Sequence, residues 1–413
     1  MKQRAVGPSA ALGLIRHRNF GPYFVGNAAS ASGTWFQNLA AQLFVYRQTH
    51  SPFLLGVLNF GNFIPVLVLA PWAGSAADRF DRRRLVLATQ LGSTALSALL
   101  AVLAWTGRAP VWAVIACALG LGVWSAFSAP ASQALIADLV PRSELQSAVA
   151  LNSMTYNLAR AVGPALAALS VKHLGIPASF AINSGSYLLL VVGVLVVRTA
   201  PRRRAGREET RLRESLQLVL AQPRLLAFLL IVTAVGFASD PINTEAPAFA
   251  RTFGKPDTWS GVLIGAFGVG AVAAAFLLAG RVAGSSRRMF LTLSLLGGGA
   301  IALSLSPYLP AALVFLVVAG FGYLASNTSA TSRLQLEVEE HQRGRIMALW
   351  SVASLGLRPV ASLADGALAG AFGVRAAGVC LALPVLLGAV ALVVAGRLRN
   401  PAAPSRRRRI FTT

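Results

Sequence analysis

GSAADRFDRRR, residues 74–84, lies between two apolar runs, residues 53–77 and 85–105. Each run has about the twenty apolar residues that a helix needs to cross a bilayer. The stretch therefore predicts a short turn at a membrane surface. Four of its residues are arginines, and short loops rich in Lys and Arg stay on the cytoplasmic side. The turn is thus expected to face the cytoplasm.

The composition indicates a membrane protein. Of 413 residues, 55% are hydrophobic and 12% are charged, whereas a soluble domain carries about 25% charged residues. The net charge of +23 could suggest a nucleic-acid partner, but 29 of the 37 Lys and Arg residues fall in segments predicted to be cytoplasmic. This asymmetry indicates cytoplasmic termini. It also accounts for the high positive charge, so that charge is not evidence of a nucleic-acid partner. The two cysteines, Cys117 and Cys380, predict neither a disulfide framework nor a metal site.

The apolar pattern predicts an all-α membrane protein with twelve transmembrane helices in two six-helix halves. The longest polar stretch, residues 198–222, is a basic cytoplasmic linker between the N-terminal half, 1–197, and the C-terminal half, 223–396. Residues 397–413 form a basic cytoplasmic tail. The predicted spans are 20–46, 53–77, 84–105, 110–137, 145–171, 178–197, 224–250, 258–281, 289–306, 309–333, 346–370 and 377–396.

The two halves repeat each other weakly at an offset near 200 residues. Gly56, at the start of the second span, aligns with Gly261 in the eighth. Arg160 of the fifth span aligns with Arg358 of the eleventh at an offset of 198. Such repeats predict two pseudo-symmetric halves with a binding site between them.

The 74–84 turn resembles the signature loop of the major facilitator superfamily of secondary transporters, G-x-x-x-D-R-x-G-R-[RK]-[RK]. Asp81 stands where that pattern has glycine, and D-R-F-D-R-R is found in the bacterial branch that includes enterobactin exporters. The resemblance implies the twelve-helix fold and a cytoplasmic gate in which Asp78 meets the N-terminus of helix 11. The matching residues are Gly74, Asp78, Arg79, Arg82, Arg83 and Arg84.

The fifth span carries N-x-x-R-x-x-G-P, formed by Asn157, Arg160, Gly163 and Pro164. It resembles the helix-5 motif of antiporters of this superfamily, in the form found in enterobactin-exporter-like proteins. The motif implies a bent helix that packs closely on its partner. The fourth span lacks the arginine that drug antiporters usually carry, so the resemblance to proton-coupled drug antiporters is partial.

Ionisable residues inside predicted spans are functional candidates, because a charge in the bilayer is costly unless it is paired or hydrated. Arg160 and Arg358 fall near mid-membrane and are candidate solute-binding residues. Asp240, Asp365 and Glu245 are candidate proton carriers. Two alternatives stay open: Asp240 pairs with an arginine for structure alone, or Glu245 lies at the outer surface in water.

Pro241 and Pro247 predict a break in the seventh span, because each removes a backbone donor and disturbs the preceding turn. Broken helices at membrane depth line cavities or other protein, so this segment is expected on the transport path. Uncharged polar side chains complete the candidate cavity, although each could serve only in hydrogen bonds between helices. They are Asn38, Gln42, Asn59, Asn62, Asn152, Asn157, Asn243 and Asn327.

Together these features predict a bacterial inner-membrane secondary transporter that exports a bulky, siderophore-like organic solute in exchange for protons. A macrolide or multidrug exporter is the first alternative, followed by a solute importer. A polytopic membrane enzyme is disfavoured because no cluster of His, Asp or Glu has catalytic spacing. A nucleotide-driven pump is disfavoured because no phosphate-binding G-x-x-x-x-G-K-[ST] loop occurs. No cofactor is expected.

Overall fold

A computed structural model describes residues 13–141, 143–197, 219–278, 286–338, 346, 349–350 and 352–399. Within these ranges every secondary-structure element is helical, which confirms the predicted all-α class. Most of the predicted linker, 198–222, and the end of the predicted tail, from residue 400, lie outside the described residues. The same is true of residues 339–345, most of the acidic loop after the tenth span.

Twelve α-helices are delimited within the described ranges. A 3-10 turn at Asp257–Trp259 precedes α8, and a π-helical turn at Val352–Gly356 precedes α11. The helices are α1 Phe20–Thr49, α2 Pro52–Arg79, α3 Arg82–Trp105, α4 Val111–Leu139, α5 Leu145–Val196, α6 Pro223–Thr244, α7 Ala246–Thr252, α8 Ser260–Leu277, α9 Ser286–Leu305, α10 Leu309–Glu337, α11 Arg358–Phe372 and α12 Val374–Arg399.

These α-helices do not correspond one to one with the predicted spans, because α5 contains two of them and α7 is only seven residues long. In the part of the chain that the structure describes, nine helical stretches are long and apolar enough to cross a membrane. The predicted spans 20–46 and 346–370 are not among them. The described helix in the second of these spans, α11, is only 15 residues long, and the first contains several of the polar residues singled out above.

Two of the four described glycines with positive φ, Gly175 and Gly373, have nearly the same conformation and each separates consecutive spans. Gly175 (φ 85°, ψ 170°) interrupts α5 between the spans predicted at 145–171 and 178–197. Gly373 (φ 86°, ψ 155°) separates α11 from α12. This backbone conformation favours glycine because a Cβ atom would clash. The two glycines are 198 residues apart, the offset that relates Arg160 to Arg358, so the same turn recurs at equivalent positions.

Two close helix contacts also recur at equivalent positions. A Cβ atom on Gly56 of α2 would lie 2.5 Å from the carbonyl oxygen of Ser362 and 2.9 Å from Cα of Gly366, both on α11. A Cβ atom on Gly261 of α8 would lie 2.7 Å from the carbonyl oxygen of Pro164 on α5. Glycine allows such backbone approach in membrane helices. The α2–α11 and α5–α8 contacts therefore have the same construction.

Asp81, the residue that departs from the superfamily signature, is the N-cap of α3. Its Oδ1 accepts a hydrogen bond from the backbone N–H of Arg84 at 2.7 Å. A side-chain oxygen at this position satisfies one of the helix's free N–H groups. The carboxylate also lies favourably at the positive end of the helix dipole.

Replacing Asp81 with alanine is expected to lower the free energy of unfolding by about 1 kcal/mol, the usual cost of losing an N-cap. Asp81→Asn keeps a capping oxygen and serves as the matched control. Thermal unfolding of the purified protein in detergent measures both variants. Equal melting temperatures for the alanine and asparagine variants would contradict the capping role.

The arginines of the 74–84 turn tie neighbouring helices together. Arg82 forms an ion pair with Asp138, at the end of α4, with an Nη1 to Oδ2 distance of 3.0 Å. Arg83 donates hydrogen bonds to the carbonyl oxygens of Val194 and Leu195 at 2.9 and 2.7 Å. These carbonyls belong to the last turn of α5, where cations are favourable. The turn therefore links α3 to the ends of α4 and α5.

Candidate functional site

The break predicted in the seventh span is present. The helix α6 ends at Thr244 and α7 begins at Ala246, with Glu245 between them at φ −102° and ψ 11°. Pro241 and Pro247 flank the interruption, as expected from their missing backbone donors. The chain in this region, residues 238–250, is buried.

Polar side chains compensate the backbone around this break. The carbonyl oxygen of Asn243 accepts a hydrogen bond from Nε2 of Gln42 on α1, at 2.8 Å. The side-chain amide of Asn243 donates to the carbonyl oxygen of Ser239 at 2.6 Å. Gln42 and Asn243, two of the predicted cavity residues, are therefore brought together, and they connect α1 with the broken helix.

Three carboxyl groups are buried next to the break, and we call them the acidic cluster: Asp240, Glu245 and Asp365. Their exposed fractions are 1%, 0% and 0%. Asp240 accepts hydrogen bonds from the hydroxyl groups of Thr244, at 2.9 Å, and of Ser362, at 3.1 Å. The full burial of Glu245 shows that the alternative of a hydrated charge at the outer surface is wrong.

The members of the acidic cluster lie near enough to influence one another electrostatically. The charges of Asp365 and Asp240 both act on Glu245, and the charge of Asp240 acts on Asp365. Glu245 and Asp365 accept no hydrogen bond from any described residue. The cluster thus concentrates potential negative charge in an apolar interior, where unpaired charge is costly.

One described arginine faces this cluster. The guanidinium of Arg358, at the start of α11, lies 4.4 Å from the ring centre of Phe63 on α2. Its charge acts on Asp240, and its side chain is half-buried. An aromatic face and a carboxylate therefore share the same cation. The predicted mid-membrane arginine thus lies at the contact between α2 and α11.

Other predicted cavity residues are not part of the acidic cluster. Asn152 accepts a hydrogen bond from Asn27 at 2.6 Å, which joins α5 to α1. Asn59 donates to the carbonyl of Leu55 in its own helix. These bonds match the alternative of hydrogen bonding within and between helices. Half-buried side chains are found at the remaining described positions, which are Asn38, Asn62 and Asn327.

The helix-5 motif is described in part. A Cβ atom on Gly163 would lie 2.6 Å from Cβ of Trp35, so α5 packs tightly on α1 at this glycine. Pro164 contributes the carbonyl that contacts Gly261. The side chains of Asn157 and Arg160 lie outside the described residues.

The cytoplasmic gate stays a prediction. Asp78 and Arg79 are exposed, and a Cβ atom on Gly74 would meet no described atom within 4 Å. The residues that immediately precede the eleventh span, where the resemblance places the partner of Asp78, lie largely outside the described part of the chain.

An ion pair between the end of α1 and the turn before α8 was not expected from the sequence. Arg47, near the end of α1, donates two hydrogen bonds to the carboxylate of Asp257, at 2.7 and 3.0 Å. The side chain of Asp257 is 5% exposed and that of Arg47 is 40% exposed. The pair joins α1 to the turn before α8. Neither charge lies inside an apolar run, so the sequence contained no signal that they meet.

Gln37, another polar residue of the first span and a candidate for the cavity, has buried partners that the sequence did not predict. Oε1 of Gln37 accepts hydrogen bonds from Ser97 and from Asn183, each at 2.6 Å. The three side chains are buried and connect α1, α3 and α5. Their only signal was polarity in an apolar helix, which predicts a partner without identifying it.

Comparisons with known proteins identify the family of this chain. A family model described as transmembrane secretion effector, within the major facilitator superfamily, matches residues 9–408. The chain belongs to this family. It is therefore a multi-pass membrane transporter and not an enzyme.

Two curated relatives and one solved structure illustrate the family. The staphyloferrin A transporter of Staphylococcus aureus is 32% identical over 161 residues, which span 39% of this chain and 41% of that protein. Macrolide efflux protein A of Streptococcus pyogenes is 24% identical over 85% of this chain and 89% of its own. A bacterial homologue of the human lysosomal transporter Spinster, solved in an inward-facing, unoccupied conformation, is 16% identical. Its TM-score is 0.72, with 97% of this chain and all of that chain covered, so the two share a fold.

Proposed function

We propose that this transporter exports a bulky, siderophore-like organic solute from the cytoplasm in exchange for protons. It lies in the bacterial inner membrane with both termini in the cytoplasm. Its twelve spans form two pseudo-symmetric halves, residues 1–197 and 223–396. The halves rock about a central site, so that the site opens alternately to each side.

The observation that carries this proposal is the burial of the acidic cluster beside Arg358. A carboxylate in an apolar interior needs either a proton or a cation. Of the three carboxyl groups, Asp240 lies under the influence of the described guanidinium of Arg358, whereas the charges that act on Glu245 and Asp365 are those of other carboxylates. The remaining negative charge is neutralised by protons when the site is closed. Proton uptake and release at this cluster then couple solute movement to the proton gradient.

The recurring glycine contacts support the two-half arrangement. Gly56 on α2 meets α11 in the same way as Gly261 on α8 meets α5. Both glycines lie in the first turns of their helices, near the predicted outer surface. The ion pair between Arg47 and Asp257 lies at the same end. These contacts close the outer end, and the signature turn around Asp78 forms the gate at the cytoplasmic end.

The solute class rests on chemistry at the centre of the molecule. Arg358 on the ring of Phe63 offers a cation and an aromatic surface to an anionic organic solute. The undescribed side chain of Arg160 is proposed as its counterpart from α5. The name of the staphyloferrin A transporter agrees with a siderophore. The acidic cluster offsets part of the positive charge, so the site also suits solutes of lower charge.

Macrolide efflux is the second candidate. The alignment with macrolide efflux protein A extends over 85% of this chain, whereas the alignment with the staphyloferrin A transporter covers 39%. A large, weakly charged solute would rely on apolar contacts more than on the arginines. The size of the transport loss in Arg358→Gln distinguishes the two candidates. A large loss favours an anionic solute, because its binding depends more strongly on the arginine charge than that of a macrolide does.

Transport into inverted membrane vesicles tests the proposal. We expect staphyloferrin A or erythromycin to accumulate when the vesicle lumen is acidified, and the accumulation to disappear with a protonophore. Asp365→Asn is expected to reduce gradient-driven uptake about tenfold or more. The free energy of burying an ionised carboxyl group exceeds about 1.4 kcal/mol, and about 1.4 kcal/mol corresponds to a factor of ten.

Glu144→Gln is the matched control for this assay. It removes an exposed carboxylate just before α5 that makes no capping hydrogen bond, and it is expected to transport at nearly the wild-type rate. Uptake that ignores the proton gradient, or that survives neutralisation of the whole acidic cluster, would overturn proton coupling. Net movement out of inverted vesicles under the same gradient would overturn export.

A further inference from the structure

The three carboxyl groups of the acidic cluster have different hydrogen-bond partners. Asp240 accepts from the hydroxyls of Thr244 and Ser362. Glu245 and Asp365 are both fully buried, and all four of their carboxyl oxygens accept no hydrogen bond from a described residue. Donors stabilise an ionised carboxylate, and their absence penalises it. The described surroundings of Asp240 therefore stabilise its ionised form, whereas those of Glu245 and Asp365 do not.

The charged neighbours divide the cluster in the same way. Arg358 acts on Asp240 as an attractive charge. The charges that act on Glu245 are those of Asp365 and Asp240, which are both negative. Two buried carboxylates that repel each other cannot both stay ionised without a large cost.

The remaining titratable neighbours lie on the outer side of Glu245. Tyr46 of α1 is in electrostatic contact with Glu245, Asp257 and Arg251. Asp257 is already engaged by Arg47, and Arg251 is exposed at the end of α7. Glu245 therefore lies between these outer groups and the deeper carboxyls.

From this geometry, and resting on the proton coupling proposed above, we infer that Glu245 and Asp365 together carry the transported proton. Asp240 remains ionised as the counter-charge of Arg358. The proton binds to a carboxylate oxygen of one member of the pair, and it removes one unit of negative charge from the interior. Release of the proton restores two repelling charges.

The position of the pair links this charge to helix movement. Glu245 occupies the non-helical residue between α6 and α7. Asp365 precedes Gly366, whose backbone contacts Gly56 of α2. Deprotonation places repelling charges between the broken helix and α11, which favours a conformation in which water or a cation reaches them. Protonation favours the closed packing.

Infrared spectroscopy tests the assignment without any solute. Difference spectra between acidic and alkaline buffer are recorded for the full-length protein in lipid, in the region of the carbonyl stretch of protonated carboxylic acids. A deuterium shift identifies the band as a carboxylic acid. We expect a buried-carboxyl band in the wild type and in Asp240→Asn. We expect its loss in the double variant Glu245→Gln, Asp365→Asn.

Conservative substitutions and a control keep the test decisive. The double variant Glu245→Asp, Asp365→Glu keeps both carboxyl groups and is expected to retain a band at a shifted frequency, even where the neutral variant folds poorly. Asp138→Asn is expected to leave the band unchanged. Retention of the band in the neutral double variant, or its loss in Asp240→Asn, would overturn the inference.

The transport assay tests the proposed function, and the infrared assay tests the division of roles among the three carboxyl groups. If the vesicles show no proton-driven uptake but the band behaves as expected, the pair binds a proton and the proposed coupling to a solute is wrong. If uptake is proton-driven but the band follows Asp240, the proposed function stands and the division of roles is wrong.

Discussion

Gly366→Ala is expected to reduce transport about tenfold or more and to shift the protein away from the conformation in which α2 and α11 pack together. The new Cβ atom would lie 2.9 Å from Cα of Gly56 and 3.1 Å from the carbonyl oxygen of Phe53. Backbone atoms cannot rotate away as a side chain can, so α2 and α11 must separate. Overpacking of this kind costs about 1–3 kcal/mol, which corresponds to roughly 5- to 150-fold in a conformational equilibrium.

The conformational shift can be measured by thiol labelling. Ser260, at the start of α8 and three residues after Asp257, is fully buried, and Ser260→Cys is nearly isosteric. In a chain with Cys117 and Cys380 replaced by serine, an impermeant thiol reagent added from outside should label this cysteine faster when Gly366→Ala is present.

Gly370→Ala is the matched control on the same helix. Its Cβ atom would lie 3.5 Å from Cβ of Phe53, an ordinary contact. This variant is expected to keep wild-type transport and labelling. Equal behaviour of the two alanine variants would show that the α2–α11 contact does not limit the conformational change.

Reversing one charge of the Arg47–Asp257 pair is expected to open the outer end. In Asp257→Arg two guanidinium groups face each other, and both hydrogen bonds to the carboxylate are lost. Hydrogen bonds to charged groups contribute about 1.5–3 kcal/mol, so labelling of Ser260→Cys from outside should rise about 10- to 100-fold, with transport falling accordingly.

The exchanged pair, Arg47→Asp with Asp257→Arg, tests whether the ion pair itself is responsible. It restores opposite charges across the contact and is expected to recover most of the wild-type labelling rate. Arg108→Asp reverses an exposed outer arginine and should have little effect. If the cysteine is labelled as fast in the exchanged pair as in Asp257→Arg alone, while Arg108→Asp leaves the labelling rate unchanged, the ion pair does not hold this end closed.

The acidic cluster and the outer contacts belong to one structural unit. Asp365 and Gly366 are adjacent on α11, and Gly366 packs on Gly56 near the start of α2. Asn243, near the break beside Glu245, is bonded to Gln42 of α1, five residues before Arg47. A change of charge in the cluster therefore acts on the same helices that make the Gly56–Gly366 and Arg47–Asp257 contacts.

Much of this protein follows from local sequence alone. The all-α class follows from apolar runs of membrane length. The break between α6 and α7 follows from Pro241 and Pro247, since a missing donor acts on the preceding turn regardless of context. The charged and polar residues inside the apolar runs singled out Asp240, Asp365 and Arg358, because each such residue needs a partner in a bilayer.

Only the tertiary structure decided which partners these residues have. Ser362 reaches Asp240 across 122 positions, and Arg47 reaches Asp257 across 210. One alternative placed Glu245 at the outer surface, but its side chain is fully buried. The sequence determined that these charges are costly, since that depends on residue type and bilayer depth. Which helices meet depends on packing over the whole chain, and that packing decides which carboxyl groups have donors and which do not.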